Sequence, residues 1–130
     1  MPIFDTVLLF AAADRSDPNH NKAIRYMTKL RQEDFYLASF SLIEFDIVLK
    51  SRGLKANERM DLHALLVKDY PNLKIHPINP STLYLTAMIE KDYDLEYFDA
   101  AVSTEALQHD ATVVSTDKAL ERVKGLNRTW

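Results

Sequence analysis

The spacing of apolar residues along the chain predicts helices that alternate with short buried strands. Ala23, Tyr26, Met27 and Leu30 recur at three- and four-residue intervals, which places them on one face of a helix. Residues 111–115 form a short, continuous, mostly apolar run with two adjacent valines, which is typical of a buried strand. The predicted strands are residues 3–5, 35–38, 73–76 and 111–115. The predicted helical segments are 7–13, a helix that starts at Asp17-Pro18, 41–52, 57–70, 79–91, 94–109 and a short last helix at 116–124.

Capping residues mark several of these helix starts. Asp17-Pro18 and Asn79-Pro80 each combine a capping side chain with a proline at the first helical position. Asn57 is expected to cap the predicted helix at 57–70 in the same way. Three leucines of that helix are predicted to face the core: Leu62, Leu65 and Leu66. Because strands alternate with helices, we predict an α/β fold with a parallel sheet covered by helices on both faces.

Composition and charge narrow the classes of function. A chain of 130 residues, 47% hydrophobic and 27% charged, can bury one sizeable core, and we expect a single domain at residues 1–130. The absence of cysteine excludes disulfides, thiolate metal sites and a cysteine nucleophile. A net charge of −3 argues against a protein that only coats nucleic acid. The N-terminus reads as a first strand, not a signal peptide, and no membrane span is evident, so a cytoplasmic protein is expected.

Four acidic residues fall where the predicted strands end or the following helices begin. Asp5 ends the first strand, and Asp117 lies two residues past the last predicted strand. Glu44 lies in the first turn of the helix after the second strand, and Asp99 lies early in the helix that leads into the last strand. Ligands of open parallel sheets bind at the carboxyl ends of the strands, so these four side chains are expected to converge there.

Three of these acids also have a purely structural interpretation. Glu44 forms a Ser-x-x-Glu capping pattern with Ser41, Asp117 is placed to cap the last helix, and Asp99 suits a helix N-terminus. Asp5 shows no capping role in the sequence. The coincidence of all four at one edge of the sheet favours a functional role.

The chemistry of such a cluster indicates divalent cations. Four neighbouring carboxylates repel one another and raise one another's pKa values unless cations neutralise them. Ligands that are all oxygen suit Mg²⁺ or Mn²⁺, and a pair of such ions can activate water and stabilise the leaving oxygen of a phosphodiester. The four histidines are scattered and lack metal-ligand spacing. Two loose groups of basic residues are interpreted first as solvated helix faces, and only second as patches that bind RNA. One group is Lys22, Arg25 and Lys29, and the other is Arg52, Lys55 and Arg59.

Four segments of the sequence resemble the PIN-domain family, in particular its VapC-like toxins. They are Ile3-Phe4-Asp5-Thr6-Val7-Leu8-Leu9, Ser41-Leu42-Ile43-Glu44, Asp94-Leu95-Glu96-Tyr97-Phe98-Asp99-Ala100 and Ala111-Thr112-Val113-Val114-Ser115-Thr116-Asp117-Lys118. The resemblance covers nearly the whole chain, and the last two segments are its specific part. It implies a PIN-like fold with a central parallel sheet of four to five strands.

The resemblance also implies a function. The chain would be a metal-dependent endoribonuclease that uses Mg²⁺ or Mn²⁺, with Asp5, Glu44, Asp99 and Asp117 as its catalytic and metal-binding acids. It would be the toxin of a VapBC-type pair, a homodimer with an RNA substrate and a separately encoded antitoxin. Ser115 matches a hydroxyl residue that the family often places two positions before its last acid.

Departures from the family pattern keep two alternatives open. Val7 replaces a usual Asn or Ser, Asp94 and Glu96 replace Gly and Ser around Leu95, and Leu120 replaces a common aromatic. The first alternative is a PIN-like module that binds RNA or protein with weak or lost catalysis. The second is a phosphatase-like hydrolase with Asp5 as nucleophile, which the lack of an Asp-x-Asp motif disfavours.

Overall fold

A parallel sheet of five strands forms the centre of the fold. The computed structural model describes residues 2–32 and 36–130. In chain order the strands are β1 (Ile3–Phe4), β2 (Tyr36–Leu37), β3 (Lys74–Ile75), β4 (Thr112–Val114) and β5 (Asn127–Thr129). They lie in the order β3-β2-β1-β4-β5, and every neighbouring pair is parallel. The predicted α/β fold with a parallel sheet is therefore confirmed.

Within the described residues, six α-helices and one short 3₁₀ helix connect and cover the strands. The α-helices are α1 (Thr6–Ala13), α2 (His20–Gln32), α3 (Ser39–Ser51), α4 (Ala56–Asp69), α5 (Pro80–Tyr93) and α6 (Tyr97–His109), and the 3₁₀ helix is Lys118–Arg122. The predicted cap of α5 is confirmed, because the Asn79 side chain accepts hydrogen bonds from the backbone N–H groups of Ser81 and Thr82. None of the helices in the described ranges is long and apolar enough to cross a membrane.

Each central strand is buried on both of its faces. Ile3 and Val113 pack into a core cluster that includes residues of α6, whereas their neighbours Phe4 and Val114 pack into a second cluster on the opposite face. This is the arrangement expected for parallel strands between two helical layers, where successive side chains point to opposite faces. Asp5 therefore follows a strand that is locked in place from both sides.

Several predicted boundaries were wrong. Asp94 does not begin α6: it ends α5 in a left-handed backbone conformation (φ 51°), and α6 begins three residues later. Asn57 does not cap α4, which Lys55 precedes without a side-chain capping bond. Leu65 is 52% exposed and does not face the core. Predictions for Phe35 and for the side chain of Leu30 lie outside what the structure describes.

The C-terminal segment also differs from the prediction. The sequence predicts a short last helix at 116–124 and no strand after it, but the chain forms the 3₁₀ helix and then the edge strand β5, which pairs with β4. The sequence did not indicate β5, because Asn127, Arg128 and Thr129 carry no apolar side chain that would mark a strand. The strand is defined by its backbone pairing.

Candidate active-site cleft

The candidate acids lie at the carboxyl edge of the sheet, as predicted. Asp5 directly follows β1 and Asp117 lies just past β4, and these two strands are hydrogen-bonded neighbours. Glu44 is on α3, which follows β2, the other neighbour of β1. Asp99 is in the first turn of α6. The sheet order therefore brings the four elements together around β1.

Asp5 is held rigidly at the centre of this edge. It is 8% exposed, and one carboxylate oxygen accepts the backbone N–H of Thr6 at 2.6 Å while the other accepts the Ser115 hydroxyl at 2.7 Å. Asp5 thus caps α1, which corrects our expectation that it has no capping role. Burial raises the pKa of Asp5, and the hydrogen bonds from Ser115 and Thr6 oppose that rise.

Glu44 does not take part in the capping pattern that the sequence suggested. α3 begins at Ser39, so Ser41 is already inside the helix, and its hydroxyl donates to the backbone oxygen of Phe4 at 3.4 Å. Glu44 is half-buried, and burial raises its pKa while the Thr6 hydroxyl lowers it. Glu44 therefore has no capping role, and its carboxylate lines the cleft.

Asp99 experiences the strongest crowding of negative charge. Burial raises its pKa to about 7, with further contributions from Asp117, Asp5, Glu96 and Glu44 in that order. Each of the other three candidate acids therefore lies within electrostatic reach of Asp99. Its ionised form is disfavoured unless a cation compensates the charge.

Asp117 has the predicted structural role and is tied to the cluster as well. Its side chain accepts the backbone N–H of Ala119 at 2.9 Å and caps the 3₁₀ helix. Its own backbone N–H donates to the Ser115 hydroxyl oxygen at 3.1 Å. Ser115, which is fully buried, thus connects Asp117 with Asp5 through one hydroxyl group.

All four acids line one cleft of about 500 Å³. The same cleft is lined by two further acids, Asp17 and Glu96, and by one arginine, Arg52. As the side chains stand, no three acidic or histidine residues within 2–32 and 36–130 converge closely enough to hold a metal ion. The four acids share a cleft but do not form a closed coordination sphere.

The chemistry of the donor set nevertheless fits a hard divalent cation. The acids supply carboxylate oxygens without nitrogen or sulfur, which are the ligands that Mg²⁺ and Mn²⁺ take. Burial and mutual repulsion raise the pKa values of Asp5, Glu44 and Asp99 together, and a cation would reverse that effect.

Some residues that line the cleft were not predicted from the sequence, and one was grouped with residues outside the cleft. Thr6 and Phe10 lie on α1, and nothing in the sequence distinguished them from the rest of that apolar helix. Arg52 was grouped loosely with Arg59, but the structure separates the two: Arg52 lines the cleft, whereas Arg59 pairs with Asp46 at 3.8 Å. Among the departures from the family pattern, Val7 and Glu96 line the cleft, whereas Leu120 is buried in the core.

Comparison with known proteins agrees with this architecture. The PIN domain family profile matches residues 3–126. The chain therefore belongs to the PIN domain family. No curated protein matches it significantly by sequence.

Solved structures with the same fold include bacterial toxin–antitoxin proteins. FitAcB from Neisseria gonorrhoeae superposes with a TM-score of 0.71 at 18% identity, covering 98% of this chain and 96% of that one. VapC20 of Mycobacterium tuberculosis, a sarcin-ricin loop cleaving toxin, gives a TM-score of 0.73 at 13% identity, covering 93% of each chain. VapBC2 from Rickettsia felis, bound to a DNA fragment from its promoter, gives 0.69 at 11% identity, covering 98% of this chain and 96% of that one. At these identities the likeness establishes the fold.

Proposed function

We propose that the chain is a metal-dependent endoribonuclease that hydrolyses RNA phosphodiester bonds. The observation that carries the proposal is the convergence of Asp5, Glu44, Asp99 and Asp117 on one cleft at the carboxyl edge of the sheet. These acids come from four separate segments, so local capping alone does not explain why they meet. Membership in the PIN domain family supports the same activity.

We assign the four acids different roles as metal ligands, according to the hydrogen bonds that fix each side chain. Asp5, fixed by Thr6 and Ser115, would be the central ligand of Mg²⁺ or Mn²⁺, with Glu44 and Asp99 beside it. Asp117 would complete or support the set. The bound metal would supply an activated water for attack on phosphorus and neutralise the charge that develops there. The acids would have to approach one another, because as the side chains stand no three of them converge closely enough to hold a metal ion.

Cleavage of a mixed-sequence single-stranded RNA by the purified protein tests the activity. We expect internal cuts in Mg²⁺ or Mn²⁺, no cuts in EDTA, and recovery when metal is added back in excess. The loss in EDTA separates this protein from contaminating metal-independent ribonucleases, and the recovery shows that the loss comes from metal removal. Cleavage that persists in EDTA, or no cleavage by a folded protein in either metal, would contradict the proposal.

We also propose that the chain is the toxin of a VapBC-type pair and has a separately encoded antitoxin. The support is its likeness to structures of toxins solved with antitoxins, such as the complex from Klebsiella pneumoniae (TM-score 0.66, 16% identity). Expression should arrest the growth of a bacterial host, and co-expression of the gene adjacent to this one should relieve the arrest. Growth unaffected by an expressed, folded and active protein would argue against a toxin. The homodimer and the single-domain boundary at 1–130 stay predictions.

A PIN-like module that binds RNA without cutting it is the second candidate. The open arrangement of the acids and Val7 in the cleft favour it. It predicts RNA binding that needs no divalent metal, together with no cleavage in Mg²⁺ or Mn²⁺. The phosphatase-like alternative is disfavoured further, because both carboxylate oxygens of Asp5 already accept hydrogen bonds.

A further inference from the structure

One cationic side chain lines the acidic cleft. Arg52 follows the last residue of α3, and its exposed side chain reaches the cleft wall. All other charged residues that line this cleft in the described part of the chain are acidic, six in number. An arginine in that position is the feature that the proposed metal chemistry does not use.

An aromatic contact positions Arg52. Its guanidinium carbon lies 4.8 Å from the centre of the Phe10 ring, which is within the range of a cation–π interaction. Phe10 in turn packs against Phe45 with the ring centres 5.0 Å apart. The stacked pair is therefore anchored to the core beneath α1 and α3.

Within the described part of the chain, the guanidinium group of Arg52 has no hydrogen-bond partner. Among residues 2–32 and 36–130, no carboxylate lies within ion-pair distance of its guanidinium group, and no side-chain hydrogen bond engages it. Arg52 also lowers the pKa of Asp14, as the smallest of five influences on that group. A guanidinium group whose five N–H donors have no partner among the described residues, on the wall of an acidic cleft, is suited to an incoming anion.

The position of Arg52 also has a purely structural explanation, in which a solvated arginine interacts with the dipole at the C-terminus of α3. That explanation accounts for the charge but not for the stacking on a cleft aromatic. An RNA strand must bring its phosphates into a cleft lined by six acids, and metal ions alone would neutralise only those nearest the cut. A fixed cation at the wall would hold a second phosphate.

We propose that Arg52, positioned by Phe10, binds a backbone phosphate of the RNA substrate next to the one that is cleaved. This inference rests on the proposed nuclease function and adds a substrate-binding residue to it. Planar, bidentate N–H donors match phosphate oxygens, so arginine and lysine are not equivalent at this position.

The test is binding of a labelled single-stranded RNA in EDTA, measured by fluorescence anisotropy over a range of salt concentrations. Arg52→Ala should weaken binding about tenfold, as loss of a charged hydrogen bond does. It should also reduce the slope of log K against log salt by about 0.7, the value for one phosphate contact on a single strand. Arg52→Lys should keep the slope and lose part of the affinity.

Lys50→Ala is the matched control. Lys50 is exposed in the last turn of the same helix and does not line the cleft, so its removal takes away the same charge. Equal affinities and slopes for Arg52→Ala and Lys50→Ala, or no measurable binding by the wild type, would overturn the proposal. If Arg52→Ala fails to fold, Arg52→Gln replaces it.

Cleavage kinetics keep the two proposals apart. In Mg²⁺, Arg52→Ala should raise KM more than it lowers kcat, because a phosphate outside the reacting bond is held equally in the ground state and the transition state. Cleavage with an unchanged KM in Arg52→Ala would refute the role of Arg52 and leave the nuclease intact. RNA binding that depends on Arg52 without any cleavage would refute the nuclease and leave the binding role intact.

Discussion

Asp99→Asn is expected to lower the rate of metal-dependent RNA cleavage by at least about 100-fold without weakening the fold. Loss of even an outer partner of a metal ligand typically costs about 10–100-fold, so loss of a ligand itself should cost no less. Asn keeps the shape of the side chain and removes a charge that Asp117, Asp5, Glu96 and Glu44 all oppose. The metal-free variant should therefore unfold at the same temperature as the wild type or higher. Cleavage rates and thermal melting in EDTA measure the two effects.

Asp92→Asn is the control for this experiment. Asp92 is exposed near the end of α5 and does not line the acidic cleft, so its removal gives the same change in net charge. Its cleavage rate should stay within about twofold of the wild type. Normal cleavage by Asp99→Asn would remove Asp99 from the site, and loss of activity accompanied by a large drop in melting temperature would point to a structural role instead.

The central fold was predictable because its signals are local and strong. The apolar runs that contain Phe4 and Val114 mark strands buried on both faces, and the caps at Asn79 and Asp117 act over two or three residues. The edge strand β5 could not be found in this way. Its residues are mostly exposed, and its pairing with β4 depends on a partner that is distant in the chain.

The residues of the site differ in the same way, because the meeting of Asp5 and Asp117 could be predicted from the sequence and the contact of Arg52 with Phe10 could not. Asp5 and Asp117 were predicted to meet because the ends of parallel strands share one edge, a rule that needs no side-chain detail. The stacking of Arg52 on Phe10 joins the end of α3 to α1 across 42 positions of sequence. No spacing pattern reports such a contact, because it depends on where the two helices cross.

Glu105 is a charged residue in a helix that the structure nevertheless buries completely. It lies on α6 with no exposed surface, and its two carboxylate oxygens accept the backbone N–H groups of Ser39 (2.9 Å) and Phe40 (3.2 Å). Ala38 offers no side-chain cap to α3, so Glu105 takes that role from another helix. This contact links α6, which carries Asp99, to α3, which carries Glu44.

Stability is therefore expected to fall as pH rises through the range that titrates Glu105. Burial raises its pKa from 4.5 to about 7 in the folded protein, despite the two N–H bonds. The folded state then holds this proton more tightly than the unfolded chain, so the folded state loses relative stability between about pH 4.5 and 7 and levels off above. The shift corresponds to roughly 3 kcal/mol in total, of which about 2–3 kcal/mol falls between pH 5 and 8.

The neighbouring His76 contributes a pH dependence of the opposite sign. Nδ1 of His76 lies 3.6 Å from a Glu105 oxygen, and burial followed by the charge of His109 lowers the pKa of His76. A lowered histidine pKa removes stability as pH falls below its unfolded value of 6.5, so it partly masks the Glu105 effect. His76 remains in a Glu105 variant, so most of its contribution cancels in a difference.

Glu105→Gln should flatten this part of the pH dependence. The free energy of unfolding, measured with urea at pH 5, 6, 7 and 8, should fall by about 2–3 kcal/mol more in the wild type than in Glu105→Gln over that range. One N–H of α3 loses its acceptor in the variant, so its absolute stability carries an added cost at every pH. Glu58→Gln, at an exposed position on α4, corrects for the general effect of removing a negative charge. Parallel curves for Glu105→Gln and the wild type would mean that Glu105 stays ionised in the folded protein, held by the N-terminus of α3.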